Sequence, residues 1–139
     1  MIKKIYLDIN IIIDLFDTTR PTHKDSQSLL EYALVNEISI VISEDMISTI
    51  FYIVKDKQSV LKFLKVIVEE WQIVSFGQDV INDALDTSIT KGCDLEDIMQ
   101  CLCAKKYSCD ILMTNDKDFY SCGIESMSAS KFLEKLEIF

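Results

Sequence analysis

The chain has 139 residues, of which 49% are hydrophobic, and it contains only three glycines and one proline. This composition excludes a disordered or fibrous chain and predicts one globular domain, residues 1–139, with a proper hydrophobic core. The formal net charge of −9 argues against broad electrostatic attraction to nucleic acid or anionic membranes. It does not exclude a site where acidic residues hold a divalent cation, because the cation reverses the local charge.

The sequence also bears on location. No apolar run approaches the length needed to span a bilayer, and the start, "MIKKIYLD", lacks the apolar core and cleavage site of a signal peptide. We therefore expect a cytoplasmic protein without a membrane partner.

Cysteine and histidine offer little for catalysis. The five cysteines (Cys93, Cys101, Cys103, Cys109 and Cys122) form no Cys-x-x-Cys pair, and buried free thiols are favoured over disulfides or a zinc site. The single histidine, His23, lies in a loop-like stretch, where we expect a solvated surface side chain. Any chemistry must therefore rest mainly on carboxylates.

Predicted strands and helices alternate along the chain. The first half contains strands "KIYLDI" (4–9) and "ISIVIS" (38–43), with helices at 11–16, 24–37, 45–56 and 59–70. The second half contains strands "WQIVSF" (71–76) and "DILMT" (110–114), with helices at 78–89, 95–107 and 128–138, the last capped by Ser128 or Ser130. This alternation predicts a three-layer α/β/α fold around a mostly parallel sheet.

Acidic residues stand where such a fold forms its sites, just beyond the carboxyl ends of the strands. Asp8 ends the first strand, Asp116 and Asp118 follow the fourth, and Asp94, Glu96 and Asp97 begin the helix before it. Mg²⁺ and Mn²⁺ prefer oxygen ligands, and clustered aspartates are costly to hold without such a cation. A metal-dependent phosphodiesterase needs only these groups.

Each of these acids also has a structural alternative. Asp94 is a candidate N-cap, Asp97 a first-turn acid favoured by the helix dipole, and Asp118 the start of a turn. Asn10 is suited both to capping the helix at 11–16 and to orienting Asp8. Few purely structural roles explain an acid at the end of an apolar strand, so Asp8 is the strongest candidate for a site residue.

The segments "IYLDINIIIDLF" and "DLEDIMQCLCAKKYSCDILMTNDKDF", with the strand spacing between them, resemble the PIN domain family over essentially the whole chain. The resemblance implies a Rossmann-like sandwich and an endoribonuclease site that depends on Mg²⁺ or Mn²⁺. Small single-domain members are often VapC-type toxins, which commonly dimerise and are inhibited by an antitoxin. We therefore expect an RNA substrate, a homodimer and an antitoxin partner.

Residue by residue, the resemblance assigns Asp8, Asp97 and Asp116 as catalytic metal ligands, with Asp118 competing with Asp116. Asn10 and Thr114 match the supporting polar residues, and Asn115 is placed with them.

The family's second acid, a glutamate on the helix after strand two, is replaced by Thr49. Glu44, Asp45 and Asp94 are open candidates to compensate. Thr49 also keeps open a catalytically weak or inactive module that binds RNA or protein. A phosphatase of the haloacid dehalogenase type is disfavoured, because position 10 is Asn where those enzymes need a second Asp.

Overall fold

In the computed structural model, which describes residues 1–137, five strands form one parallel sheet in the order β3-β2-β1-β4-β5. The strands are β1 (Lys4–Leu7), β2 (Ser39–Ser43), β3 (Gln72–Val74), β4 (Ile111–Met113) and β5 (Ser126–Met127). The helices are α1 (Ile9–Leu15), α2 (His23–Val35), α3 (Asp45–Ile53), α4 (Lys57–Glu70), α5 (Gly77–Lys91), α6 (Leu95–Lys106) and α7 (Ala129–Glu137). The predicted α/β class with a parallel sheet is confirmed.

The connections explain how helices cover both faces of the sheet. Crossovers between parallel strands are right-handed. The connections from β1 to β2 and from β2 to β3 step in the same direction across the sheet, so their helices lie on one face. The step from β3 to β4 runs back across the sheet and places α5 and α6 on the other face. Consistent with this, α1, α2, α3, α4 and α7 form one chain of packed neighbours, whereas α5 packs against α6.

Most predicted elements are present with adjusted bounds. The first strand stops at Leu7 instead of residue 9, because the chain turns at Asp8 into α1. The third predicted helix ends at Ile53 because Val54 has extended backbone (φ −75°, ψ 128°). Ser128 is the correct choice of cap for α7, as its Oγ accepts the Lys131 N–H at 3.1 Å. Residue 138 of the predicted closing helix, and residue 139 of the predicted domain, lie outside the described residues.

The cysteine prediction is wrong for one pair. Cys101 in α6 and Cys122 in the loop before β5 are joined by a disulfide across a sequence separation of 21 residues, with Cα atoms 6.1 Å apart. Cys103 and Cys109 are buried free thiols as predicted, and Cys93 is free and partly exposed. The disulfide ties the loop that follows β4 to the helix that precedes it.

Among residues 1–137, no helix combines the length and the apolar character that crossing a bilayer requires.

The core lies around β1 and β4, whose Ile5, Tyr6, Leu7, Ile111, Leu112 and Met113 side chains are completely buried. We expect Leu112→Ala to lower the free energy of unfolding by about 2–5 kcal/mol, because it removes packed apolar atoms and leaves a cavity between the sheet and the helices that cover it. Urea denaturation measures this loss. Leu34, which is 77% exposed, provides the matched Leu→Ala control, with an expected change within about 0.5 kcal/mol. Equal losses for the two variants would contradict this view of the core.

Candidate active site

The first site acid, Asp8, lies between β1 and α1, at the carboxyl end of the central strand of the sheet. Its backbone N–H donates to the Met113 carbonyl at 2.9 Å, and its Oδ2 accepts the Thr114 hydroxyl at 2.9 Å. These two hydrogen bonds connect the carboxyl end of β1 to that of β4. The strand order reverses between these two strands, and such a switch point is where open α/β sheets bind ligands.

Asp8 is buried, with 8% of its surface exposed. Burial raises the pKa of its carboxyl group, because the charged form loses solvation. Hydrogen bonds from the Thr114 hydroxyl, the Ile9 N–H and the Asn10 side chain lower the pKa without cancelling the effect of burial, and the charge of Asp116 raises it further. The structure thus places Thr114 and Asn10 at Asp8, where the resemblance predicts supporting residues.

Asp97 lies in the first turn of α6 and approaches from the other face. Its Oδ2 accepts the Tyr120 N–H at 3.3 Å. Burial raises the pKa of Asp97 to about 6, and repulsion from Asp94, Asp116 and Asp8 adds to the effect. The predicted acids are therefore close enough for their charges to oppose one another.

Asp116 is exposed and stands two residues beyond Thr114. Its N–H donates to the Thr114 Oγ1 at 3.1 Å, and its Oδ1 accepts the Asp118 N–H at 2.9 Å. Thr114 thereby contacts two of the proposed acids, one through its hydroxyl hydrogen and one through its oxygen. Asp118 is joined to this turn through its backbone, which leaves Asp116 as the acid nearer to Asp8 and Asp97.

The candidates for the missing second acid are distributed differently. Asp94 caps α6, its Oδ1 accepting the Asp97 N–H at 3.0 Å, and it adds negative charge beside that residue. Glu44 and Asp45 are exposed at the start of α3, and the Asp45 carbonyl accepts the Thr49 hydroxyl at 3.1 Å. Among these three candidates, Asp94 is the one whose charge is a leading influence on the pKa of Asp97; Glu44 and Asp45 are not.

A buried polar group lies under the site and links three elements. Gln100 of α6, 3% exposed, accepts hydrogen bonds from the Tyr6 hydroxyl of β1 and from the Ser43 hydroxyl of β2, the latter at 3.3 Å. Its amide nitrogen donates to Glu96 at 2.8 Å. This network fixes α6, and with it Asp97, against the sheet.

The proposed ligands at this edge of the sheet, Asp8, Asp97 and Asp116, offer carboxylate oxygens, which are the ligands that Mg²⁺ and Mn²⁺ prefer. In the part of the chain that the structure describes, no three Asp, Glu, His or Cys residues are preassembled closely enough to hold an ion. Mg²⁺ nevertheless commonly binds one or two carboxylates and retains several waters. The donor set therefore fits a hydrated hard cation rather than a closed protein cage.

Sequence reasoning missed three features around the site. Asp14 is buried at 2% exposure and hydrogen-bonds to Asn115, beside the site turn. Its signal was the single acid within the apolar run "IIIDLF". The Tyr120 N–H and the disulfide had no sequence signal. His23, expected to be solvated, is instead partly buried, with its Nδ1 at 2.7 Å from the Asp14 carbonyl.

Comparison with known proteins shows consistent similarity. The PIN domain family matches residues 5–124. Ribonuclease VapC1 of Aquifex aeolicus is 34% identical over 139 residues, covering 96% of this chain and 95% of the relative. Among solved structures, the Mycobacterium tuberculosis sarcin–ricin loop cleaving toxin VapC20 superposes with a TM-score of 0.69 at 12% identity, over 86% of this chain and 95% of the toxin. A toxin–antitoxin complex from Klebsiella pneumoniae gives a TM-score of 0.66 at 19% identity, over 89% of this chain and 96% of the matched one.

Proposed function

Since this chain belongs to the PIN domain family, we propose that it is a VapC-type endoribonuclease that depends on Mg²⁺ or Mn²⁺. The observation that carries the proposal is that Asp8 and Asp116 stand beside the switch point between β1 and β4 and that their charges act on Asp97. Burial raises the pKa of Asp8 and Asp97, and repulsion from the neighbouring acids raises it further. A divalent cation would relieve this repulsion, so the site is suited to binding one.

A bound cation would lower the pKa of a coordinated water and neutralise charge on the scissile phosphate. The chain's own residues hold and orient the ligands for this chemistry. Asp8, Asp97 and Asp116 would hold the ion, and Asp94 would add negative charge beside Asp97. Thr114 fixes the carboxylate of Asp8 and the backbone of Asp116 relative to each other.

Cationic side chains near the acids support an RNA substrate. Lys117 lies between Asp116 and Asp118 in sequence. The Lys91 Nζ lies 3.4 Å from the Tyr120 hydroxyl, and the Tyr120 backbone binds Asp97. Phosphate contacts from lysine supply sequence-independent affinity, and a tyrosine ring can stack on an unpaired base. With a net charge of −9, we expect one structured RNA as the substrate rather than RNA in general.

We extend the proposal to an antitoxin partner and a homodimer. The Klebsiella pneumoniae structure that this fold matches is a toxin–antitoxin complex. Large apolar side chains remain exposed on α3 and α4, namely Tyr52 (80%), Ile53 (53%), Val66 (57%) and Val68 (53%). Exposed apolar surface of this kind is typical of protein–protein contacts.

A direct test is cleavage of structured RNA by the purified protein in the presence of Mn²⁺ or Mg²⁺. We expect cleavage to stop when a chelator is added and to return when the metal is restored, because the water and the phosphate depend on the cation. Gel analysis of end-labelled RNA measures this. Cleavage at the same rate in excess chelator would refute the metal-dependent mechanism.

A PIN-fold module that binds without efficient catalysis is the second candidate. It is favoured by Thr49, an exposed threonine where the resemblance to the PIN domain family leads us to expect an acid, and by the absence of a preassembled ion cage within residues 1–137. Calorimetric titration with Mn²⁺ separates the two functions. A nuclease must bind the ion, so a protein that binds RNA but no Mn²⁺ would be the binding module.

A further inference from the structure

One buried acid outside the proposed ligand set has an unusual number of donors. Asp14, near the end of α1, accepts Arg20 Nη1 at 2.7 Å on Oδ1, and on Oδ2 it accepts the hydroxyl of Thr22 at 2.5 Å. Ser26 Oγ at 3.4 Å and Asn115 Nδ2 at 3.0 Å are also directed at Oδ2. Asp14 thus connects α1 to the loop before α2, to α2 itself and to the turn after β4.

The last of these contacts leads directly to the candidate active site. Asn115 stands between Thr114, which binds Asp8, and Asp116, a proposed metal ligand. While its Nδ2 donates to Asp14, its Oδ1 accepts the Ala129 N–H at 3.2 Å, at the start of α7. Both ends of the Asn115 amide are therefore occupied, and the side chain cannot rotate without breaking two hydrogen bonds.

The helix α1 therefore contacts the site turn at two places. Asp8, at its start, binds Thr114, and Asp14, six residues further on, binds Asn115. Six helical residues rise about 9 Å, so the two contacts are well separated. Two contacts from α1 to consecutive residues restrain the orientation of the turn more than one contact would. The carboxylate of Asp116 follows immediately, and its direction depends on that orientation.

We propose that Asp14 is a positioning residue for the candidate metal site, holding Asn115 so that Asp116 faces Asp8 and Asp97. The consequence for catalysis rests on the function proposed above, but the positioning itself does not. Packing alone would not require an acid here, because a buried carboxylate is costly unless it is paired and fully hydrogen-bonded. Arg20 supplies the pairing charge, with 39% of its side chain exposed.

The test compares Asp14→Asn with Asp17→Asn. Both variants remove one negative charge from an acid close to Arg20, but Asp17 pairs with Thr19 and does not contact Asn115. In Asp14→Asn one uncharged oxygen replaces the two carboxylate oxygens that accept four donors, so the hydrogen bond from Asn115 is weakened. We expect the Asp116 amide, bonded to Thr114 Oγ1, to exchange with solvent about tenfold faster or more, and Mn²⁺ affinity to fall about 10- to 100-fold. Asp17→Asn should change neither quantity.

A second variant covers the case in which Asp14→Asn does not fold. Asn115→Ala removes the same hydrogen bond but leaves Asp14 paired with Arg20, Thr22 and Ser26. It should reproduce the faster exchange and the weaker Mn²⁺ binding. Where both single variants fold, the double variant should bind Mn²⁺ no more weakly than the weaker of the two single variants, because both substitutions act through one contact. Additive losses would overturn the proposal.

Two further outcomes are decisive. If folded Asp14→Asn matches Asp17→Asn in both exchange and Mn²⁺ affinity, Asp14 is a structural residue only and the proposal is wrong. If the unmodified protein binds no Mn²⁺, the proposed nuclease function fails instead. The exchange of the Asp116 amide in metal-free protein then still decides whether Asp14 positions the turn.

Discussion

Asp8→Asn is expected to lower metal-dependent RNA cleavage about a thousandfold, which corresponds to about 4 kcal/mol of lost transition-state stabilisation. Asparagine retains an oxygen that can accept the Thr114 hydroxyl, so the local fold should survive while the charge that binds the ion is lost. Initial rates at saturating Mn²⁺ measure the effect. Asp86→Asn, on the exposed face of α5, makes the same charge change and should leave the rate unaltered.

The same Asp8 substitution should stabilise the metal-free protein. Burial raises the pKa of Asp8, which means that its ionised form is disfavoured in the folded state at neutral pH. Replacing it with a neutral amide removes that cost, and the thermal unfolding midpoint at pH 7 should rise. A variant that loses activity and stability together would indicate a damaged fold rather than a lost ligand, and undiminished cleavage would remove Asp8 from the site.

The second large effect concerns pH. Asp97 has a pKa of about 6, so Mn²⁺ must displace a proton from it in more acidic solution. We expect Mn²⁺ affinity to be nearly constant above pH 7 and to fall about tenfold per pH unit well below 6. Calorimetric titrations between pH 5 and 8 measure this dependence. In Asp97→Asn the affinity should be lower throughout and its dependence near pH 6 reduced; an unchanged pH profile would contradict the assignment.

The effect of Asp97 on metal-free stability has the opposite sign from ordinary acid denaturation. Between the usual aspartate pKa of 3.8 and about 6, the folded state binds more protons at this residue than the unfolded state does. The contribution of Asp97 to the free energy of unfolding therefore increases as the pH falls through this window. Urea denaturation at pH 7 and pH 5 should show this increase as a difference between the unmodified protein and Asp97→Asn.

The sequence predicted the α/β class because β-branched strands and amphipathic helices have clear periodicities. It missed β5, since two residues, Ser126 and Met127, form a strand only through their pairing with β4. The register of that pairing is a property of the assembled sheet, and no local pattern in "ESMSAS" indicates it.

For the site, the rule that ligands bind beyond parallel strands selected the acids after β1 and β4 and at the start of α6, and the resemblance to the PIN domain family singled out Asp8, Asp97 and Asp116 among them. The same rule cannot identify supporting contacts that depend on the three-dimensional course of the backbone. The Tyr120 N–H at Asp97 is a backbone group, and the Cys101–Cys122 pairing requires the positions of both residues in space. Asp14 is different: it is the single acid in the apolar run "IIIDLF", a signal related to the one that selected Asp8, although Asp14 does not end a strand.

The central position of β1 has a consequence for biosynthesis. β1 is made before its partner at the site, β4, and the Thr114 hydroxyl that binds Asp8 comes from 106 residues later. At about 5–20 residues per second, translation takes about 5–20 s to cover that distance. A nascent chain shorter than this carries Asp8 but lacks both Thr114 and Asp116. The proposed nuclease would therefore be unable to cleave RNA on the ribosome that makes it until Thr114 and Asp116 have been added.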